Sequence, residues 1–155
     1  MAVNASKVKS LHDAAAAVVL RDIADGAETS TATETAVSLN ELDTAYWHGN
    51  EIPHGVFEIC LQITDTDDGN SDETYVLTLQ VDDTSDHSNN PVTIASYTIV
   101  RGTTGIFYWY VDSKSIPNLD TDSSGTDKWI AVKATLGGTS PSITYGATIT
   151  KKVAA

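Results

Sequence analysis

The sequence predicts an all-β chain, an antiparallel two-sheet sandwich of about eight strands, with a jelly roll as the leading wiring. Three observations predict it. Eight segments of alternating or β-branched character follow one another at regular spacing, separated by turns rich in Gly, Asp, Asn and Ser. Charged residues are only 19%, so 21 Thr and 14 Ser supply much of the polar surface, and Thr favours strands because it is β-branched. No connection is patterned as the crossover helix that parallel strands need, so neighbours should run antiparallel. An immunoglobulin-like sandwich competes, but its paired cysteines and Cys–Trp spacing are absent.

The strands are justified in chain order. The first is placed at residues 16–23, where an Ala run that also suits helix gives way to Val18, Val19 and Leu20. The second, 33–39, alternates Thr and Ser with Ala, Val and Leu. The third, 56–64, puts Phe57, Ile59, Leu61 and Ile63 on one face and Glu58, Cys60 and Gln62 on the other. In the fourth, 73–82, Tyr75, Leu77, Leu79 and Val81 point inward while Thr74, Thr78, Gln80 and Asp82 point outward. The fifth, 92–100, follows the turn signal Asn89-Asn90-Pro91. The sixth, 105–112, holds the run Phe107-Tyr108-Trp109-Tyr110. The seventh, 128–136, ends at Gly137-Gly138, and the eighth, 142–153, starts after Pro141. Residues 40–54 have no strand pattern and read as a short helical turn or an ordered loop. Residues 1–13 read as an extended arm, and 14–155 as one sandwich domain.

A chain of 155 residues buries roughly 68–70% of its unfolded surface and needs no disulfide or metal to fold. Cys60, the one cysteine, excludes an internal disulfide and reads as packed core. No run approaches the ~20 apolar residues of a membrane span. The short apolar run at 14–20 is followed at once by Arg21-Asp22 and reads as mature chain, not a targeting segment. Net charge is -12, and residues 22–100 carry 16 acids with no Lys or Arg. Such a surface argues against nucleic acid, which needs clustered bases, and against anionic membranes.

Motifs for chemistry are weak. Residues 65–73 resemble a calcium loop, but Gly69 falls at position five where the pattern needs six. Residues 120–125 have oxygen donors at one, three and five and Gly125 at six, but Ala131 stands where the closing Glu belongs. Both read as acidic turns. His12, His48, His54 and His87 lie in the arm or in loops, and none pairs at helical metal spacing. His48, His54 and Glu51 could form a zinc or catalytic site only if they converge in a pocket. There is no Gly-x-Ser-x-Gly elbow, no phosphate loop and no Cys with a partner base. Carboxylates are too plentiful for a pair of them to identify a glycosidase. No cofactor is expected. On the sixth strand Phe107, Trp109 and Val111 share the core face, while Ile106, Tyr108 and Tyr110 share the other, where a partner contact is expected.

Residues 72–77 (Asp-Glu-Thr-Tyr-Val-Leu), Gly105-Ile106-Phe107 with Val111-Asp112, and residues 137–147 (Gly-Gly-Thr-Ser-Pro-Ser-Ile-Thr-Tyr-Gly-Ala), with the Ala/Thr/Ser-rich 28–39 before them, carry a resemblance. Their order and spacing resemble the small jelly-roll cement, or decoration, proteins of tailed bacteriophage capsids, the Bordetella podovirus cement family among them. The resemblance covers roughly residues 14–153; the acidic base-free middle and the 48–54 loop have no counterpart in it. It implies a structural protein with no catalysis, located on the outer capsid surface of the virion and made in the host cytoplasm. Such proteins form homo-oligomers, here a homodimer or homotrimer, and bridge neighbouring major capsid subunits of the HK97-like fold against the pressure of packed DNA. Contacts with the shell or with other copies are expected at Lys7, Lys9, Tyr46, Trp47, Tyr108, Tyr110, Lys151 and Lys152. The acidic stretch should face solvent. A carbohydrate- or cell-surface-binding sandwich of a virion is the alternative, and it requires an exposed row built from Tyr46, Trp47, Tyr108 and Tyr110.

Overall fold

The structure, a computed structural model, describes residues 18–38, 56–112 and 129–152. Among these residues the chain forms strands β1 (Val18–Arg21), β2 (Ala27–Glu28), β3 (Ala32–Thr33), β4 (Val37–Ser38), β5 (Val56–Thr66), β6 (Thr74–Asp82), β7 (Val92–Ile99), β8 (Gly105–Asp112), β9 (Trp129–Gly137) and β10 (Ile143–Lys152). One sheet has the order β1-β10-β5-β8, with β2 also on β10; the other has β3-β9-β6-β7, with β4 also on β9. Every pairing is antiparallel. Taken together, β1 and β2 are one interrupted strand and β3 and β4 another. First then pairs with last, second with seventh, third with sixth and fourth with fifth, alternating between the sheets. That is one long hairpin rolled up on itself, the wiring of a jelly roll.

The alternation read from the sequence builds the core. Ile59, Leu61 and Ile63 of β5 meet Tyr75, Leu77, Leu79 and Val81 of β6, with Ile130 and Val132 of β9 and Ile143, Tyr145 and Ile149 of β10, all fully or almost fully buried. Each such aliphatic side chain contributes about 1.5–3 kcal/mol relative to exposure. From β8, Trp109 and Val111 are buried and Phe107 packs at the margin. Tyr97 of β7 closes that side, 5.7 Å from the Phe107 ring and 5.5 Å edge-on from Trp109.

Three expectations are corrected. The first strand ends at Arg21, because the Asp22 side chain accepts a hydrogen bond from Ala24 N (2.8 Å) and caps a 3-10 turn, Ile23–Asp25. The second is not continuous. Thr33 pairs with Lys133 and Val37 with Ile130, four steps against three, and since Glu34 N still donates to Val132 O (2.9 Å) the extra residue lies between Glu34 and Val37. Asp82 lies on the outward face but is fully buried, its carboxylate accepting from Thr84 N (3.2 Å) and Asn89 N (3.1 Å). Cys60 is buried and free, as expected, on the face of β5 opposite Ile59 and Leu61.

The two ends of the sandwich differ. At one end short turns join β5 to β6, β7 to β8 and β9 to β10. The strand directions put Val18, Ser38, Val56, Asp82, Asp112, Trp129 and Lys152 towards the opposite end. There the chain enters β1 and leaves β10, and there the connections holding residues 39–55 and 113–128 depart.

Candidate functional site

The acidic loop 65–73 belongs to the end with short turns. Asp67 Oδ1 accepts from Gly69 N (2.8 Å), an Asx turn. Asn70 donates to Glu73 (3.2 Å), and Thr139 donates to Asp72 (2.8 Å), which holds the Asp72 carboxyl below its usual range. Arg101 donates to the carbonyls of Asp68 (3.2 Å) and Asn70 (3.1 Å). Oxygens that a cation site would use are thus turned to a guanidinium. The Tyr75 hydroxyl donates to Asp67 O (2.9 Å) and accepts from Ser142 N (3.2 Å), pinning two turns. Gly138, at φ +103°, lies where a Cβ would come 2.7 Å from Asp72 O, so the closure admits only glycine there. Among the described residues no group of three or more His, Cys, Asp or Glu is placed to hold a metal ion. The 120–125 cluster lies outside them.

A second constellation ties the sheets together. Arg21, with its side chain 1% exposed, sits 3.2 Å from Glu34, 3.1 Å from Glu28 and 3.7 Å from Asp25. It also donates to Gly26 O (2.8 Å) and lies 4.7 Å over the Tyr145 ring. Tyr145 donates its hydroxyl to Glu34 (2.8 Å). Burial raises the Glu34 pKa, against the lowering effects of Tyr145 and Arg21. Burial, then the Glu34 charge, keeps the Tyr145 phenol protonated far beyond its normal range. Arg21 ion-pairs with Glu34, and Glu34 accepts from Tyr145, so the group links the two sheets, while Arg21 Nε and Nη1 meet their carboxylates without a hydrogen bond. Local sequence patterns give little sign of it, because Glu34 and Tyr145 are 111 residues apart.

The end where Lys151 and Lys152 terminate β10 carries the expected contacts that the structure can place. Lys152 is paired with Val56, itself paired with Asp112. The β6–β7 hairpin reaches the same end. In it His87 has φ +51°, is 8% exposed and has neither ring nitrogen hydrogen-bonded. Burial lowers its pKa, partly offset by Asp82 and Asp86. On β8, Tyr110 is 55% exposed and shares a hydrogen bond with Glu58, its cross-strand neighbour, whereas Tyr108 is half-buried. Lys7, Lys9, Tyr46 and Trp47 lie outside the described residues, as do His12, His48, Glu51 and His54. No helix of the described residues is long and apolar enough to cross a membrane.

Compared with protein-family models, with curated proteins and with solved structures, the chain matches none.

Proposed function

We propose that the chain is a structural protein, a cement or decoration protein that binds the outer surface of an icosahedral phage head and bridges neighbouring major capsid subunits. The observation that carries this reading is the polarity of the sandwich. One end is closed by turns that are cross-linked by hydrogen bonds from Gly69, Tyr75, Arg101 and Ser142. At the other end Lys151 and Lys152 finish β10, the chain bearing Lys7 and Lys9 enters β1, and the connection bearing Tyr46 and Trp47 joins β4 to β5. An end where β10 finishes on Lys151 and Lys152, and from which the remaining connections depart, suits standing on a surface. Many copies on a lattice turn modest single contacts into firm attachment. The jelly-roll wiring agrees with the resemblance carried by residues 72–77, 105–107, 111–112 and 137–147.

Co-sedimentation tests the reading. Shells purified from the source without this chain are mixed with it. Saturable binding that raises the shell's melting temperature is expected; a chain that stays in the supernatant at every concentration refutes it.

A further inference from the structure

The four edges of the sandwich are not equally protected. Exposed sheet edges invite pairing with another chain, and proteins blunt them with short strands, bulges, charges or proline. On one side β1 has four residues and a register break between Val19 and Arg21, β2 has two, and β3 and β4 have two each. On the other side β7 shifts register against β6 at Leu79/Gln80, which leaves Ile94 as an extra residue. Among the described residues strand β8 shows none of these devices. It runs eight residues in unbroken register on β5. It has no proline, and its one charge is Asp112 at the end. Among the described residues it pairs on one side only.

We propose that β8 is a homodimer edge, pairing antiparallel with β8 of a second copy about a two-fold axis and joining two sheets into one. Three observations favour a second copy as the occupant. A two-fold antiparallel pair is self-complementary, and here it sets aromatic and aliphatic residues of β8 against one another while placing the two Asp112 residues at opposite ends of the ladder. The chain's own remaining segments, 1–17, 39–55 and 113–128, carry no strand alternation that would fill the edge. Two chains of charge -12 repel over most of their surface, and residues 105–111 are an uncharged strip where they can meet. The pairing is through the backbone, so it leaves the Tyr110–Glu58 hydrogen bond in place. It does not depend on what the chain decorates.

Sedimentation equilibrium of the full chain, from micromolar to submillimolar concentration, should reach twice the 16.5 kDa of one chain. Association should tighten as salt screens the like charges. The double variant Ile106→Lys/Tyr110→Lys places two positive charges along the pairing strip, the second of them opposite Glu58. It should weaken dimerisation at least about tenfold, with circular dichroism confirming that it folds. Hydrogen exchange should show edge-facing β8 amides becoming protected with concentration in the parent and remaining exposed in the variant. A monomer throughout, a dimer untouched by the lysines, a trimer, or β8 amides already protected in the monomer would each overturn the proposal. The last outcome would assign the edge to the chain's own remaining segments.

Discussion

Replacing Arg21 by Met removes the guanidinium and keeps most of the buried stem. The structure sets the magnitude. Asp25 is 57% exposed, so its 3.7 Å pair adds almost nothing. Glu28, 25% exposed, adds little more. Glu34 is 13% exposed and loses its guanidinium partner, retaining the Tyr145 hydroxyl. Removing one member of a buried pair costs about 3–5 kcal/mol; partial access of water to Glu34 puts the expectation near the lower value, about 3 kcal/mol. For a chain this size that lowers the melting temperature by roughly 6–12 °C. The deficit should depend on pH. Without Arg21, the already raised Glu34 pKa climbs further, so the native state holds a proton that the unfolded chain has released. The variant therefore loses stability as pH rises through the window between the ordinary carboxylate value and the raised one. Denaturant midpoints at acid and neutral pH measure this. Arg21→Met/Glu34→Gln should recover a large part of the loss at neutral pH, because the unpaired Glu34 charge is gone. A loss below about 1 kcal/mol, or no recovery in the double variant, would refute the view that this cluster locks the sheets.

Three further outcomes are expected. His87 is buried with its pKa lowered, so its contribution is complete above the ordinary histidine value and disappears as pH falls through the native value; His87→Phe should flatten the melting temperature between neutral and mildly acid pH, and an unchanged pH dependence would contradict the burial argument. Gly138→Ala should cost about 2 kcal/mol in a denaturant titration, since the new Cβ meets Asp72 O at φ +103°; a neutral result would mean the turn relaxes freely. In the co-sedimentation assay, Lys151→Glu and Lys152→Glu should weaken shell binding more than Asp68→Asn or Asp86→Asn, and the reverse order would move the contact to the acidic surface.

Legibility in the sequence depends on whether the cause is local. Strand β8 matches its sequence reading, Gly105–Asp112, because a continuous run of aromatic and β-branched residues bounded by Gly105 and Asp112 strongly favours a strand. The inward set of β6, Tyr75 through Val81, is equally plain. The first two strands resist such reading because Ala, Thr and Ser state no strong face, and because they are interrupted by the Asp22 cap and by the extra residue between Glu34 and Val37. The outward face of β6 deceives at Asp82 because burial there comes from a hairpin folding back, which alternation does not encode. Arg21 and Arg101 border the base-free stretch, and both serve it. Arg21 takes Asp25, Glu28 and Glu34, and Arg101 takes carbonyls of the 68–70 turn. The acidic middle is thus not wholly a solvent-facing surface: Glu58, Glu73 and Asp82 are buried, and Glu34 is turned inward. Of the expected contacts, Tyr110 is exposed and Tyr108 is half-buried, so among the described residues the aromatic row required for sugar binding shrinks to one exposed ring.

Electron cryomicroscopy of particles from the organism that encodes the chain tests the structural role most directly. The sandwich should occupy repeated lattice positions on the outer face of the shell, with the end that carries Lys151 and Lys152 towards the capsid. Shells that lack the sandwich while the chain is abundant in the same lysate would contradict a cement role.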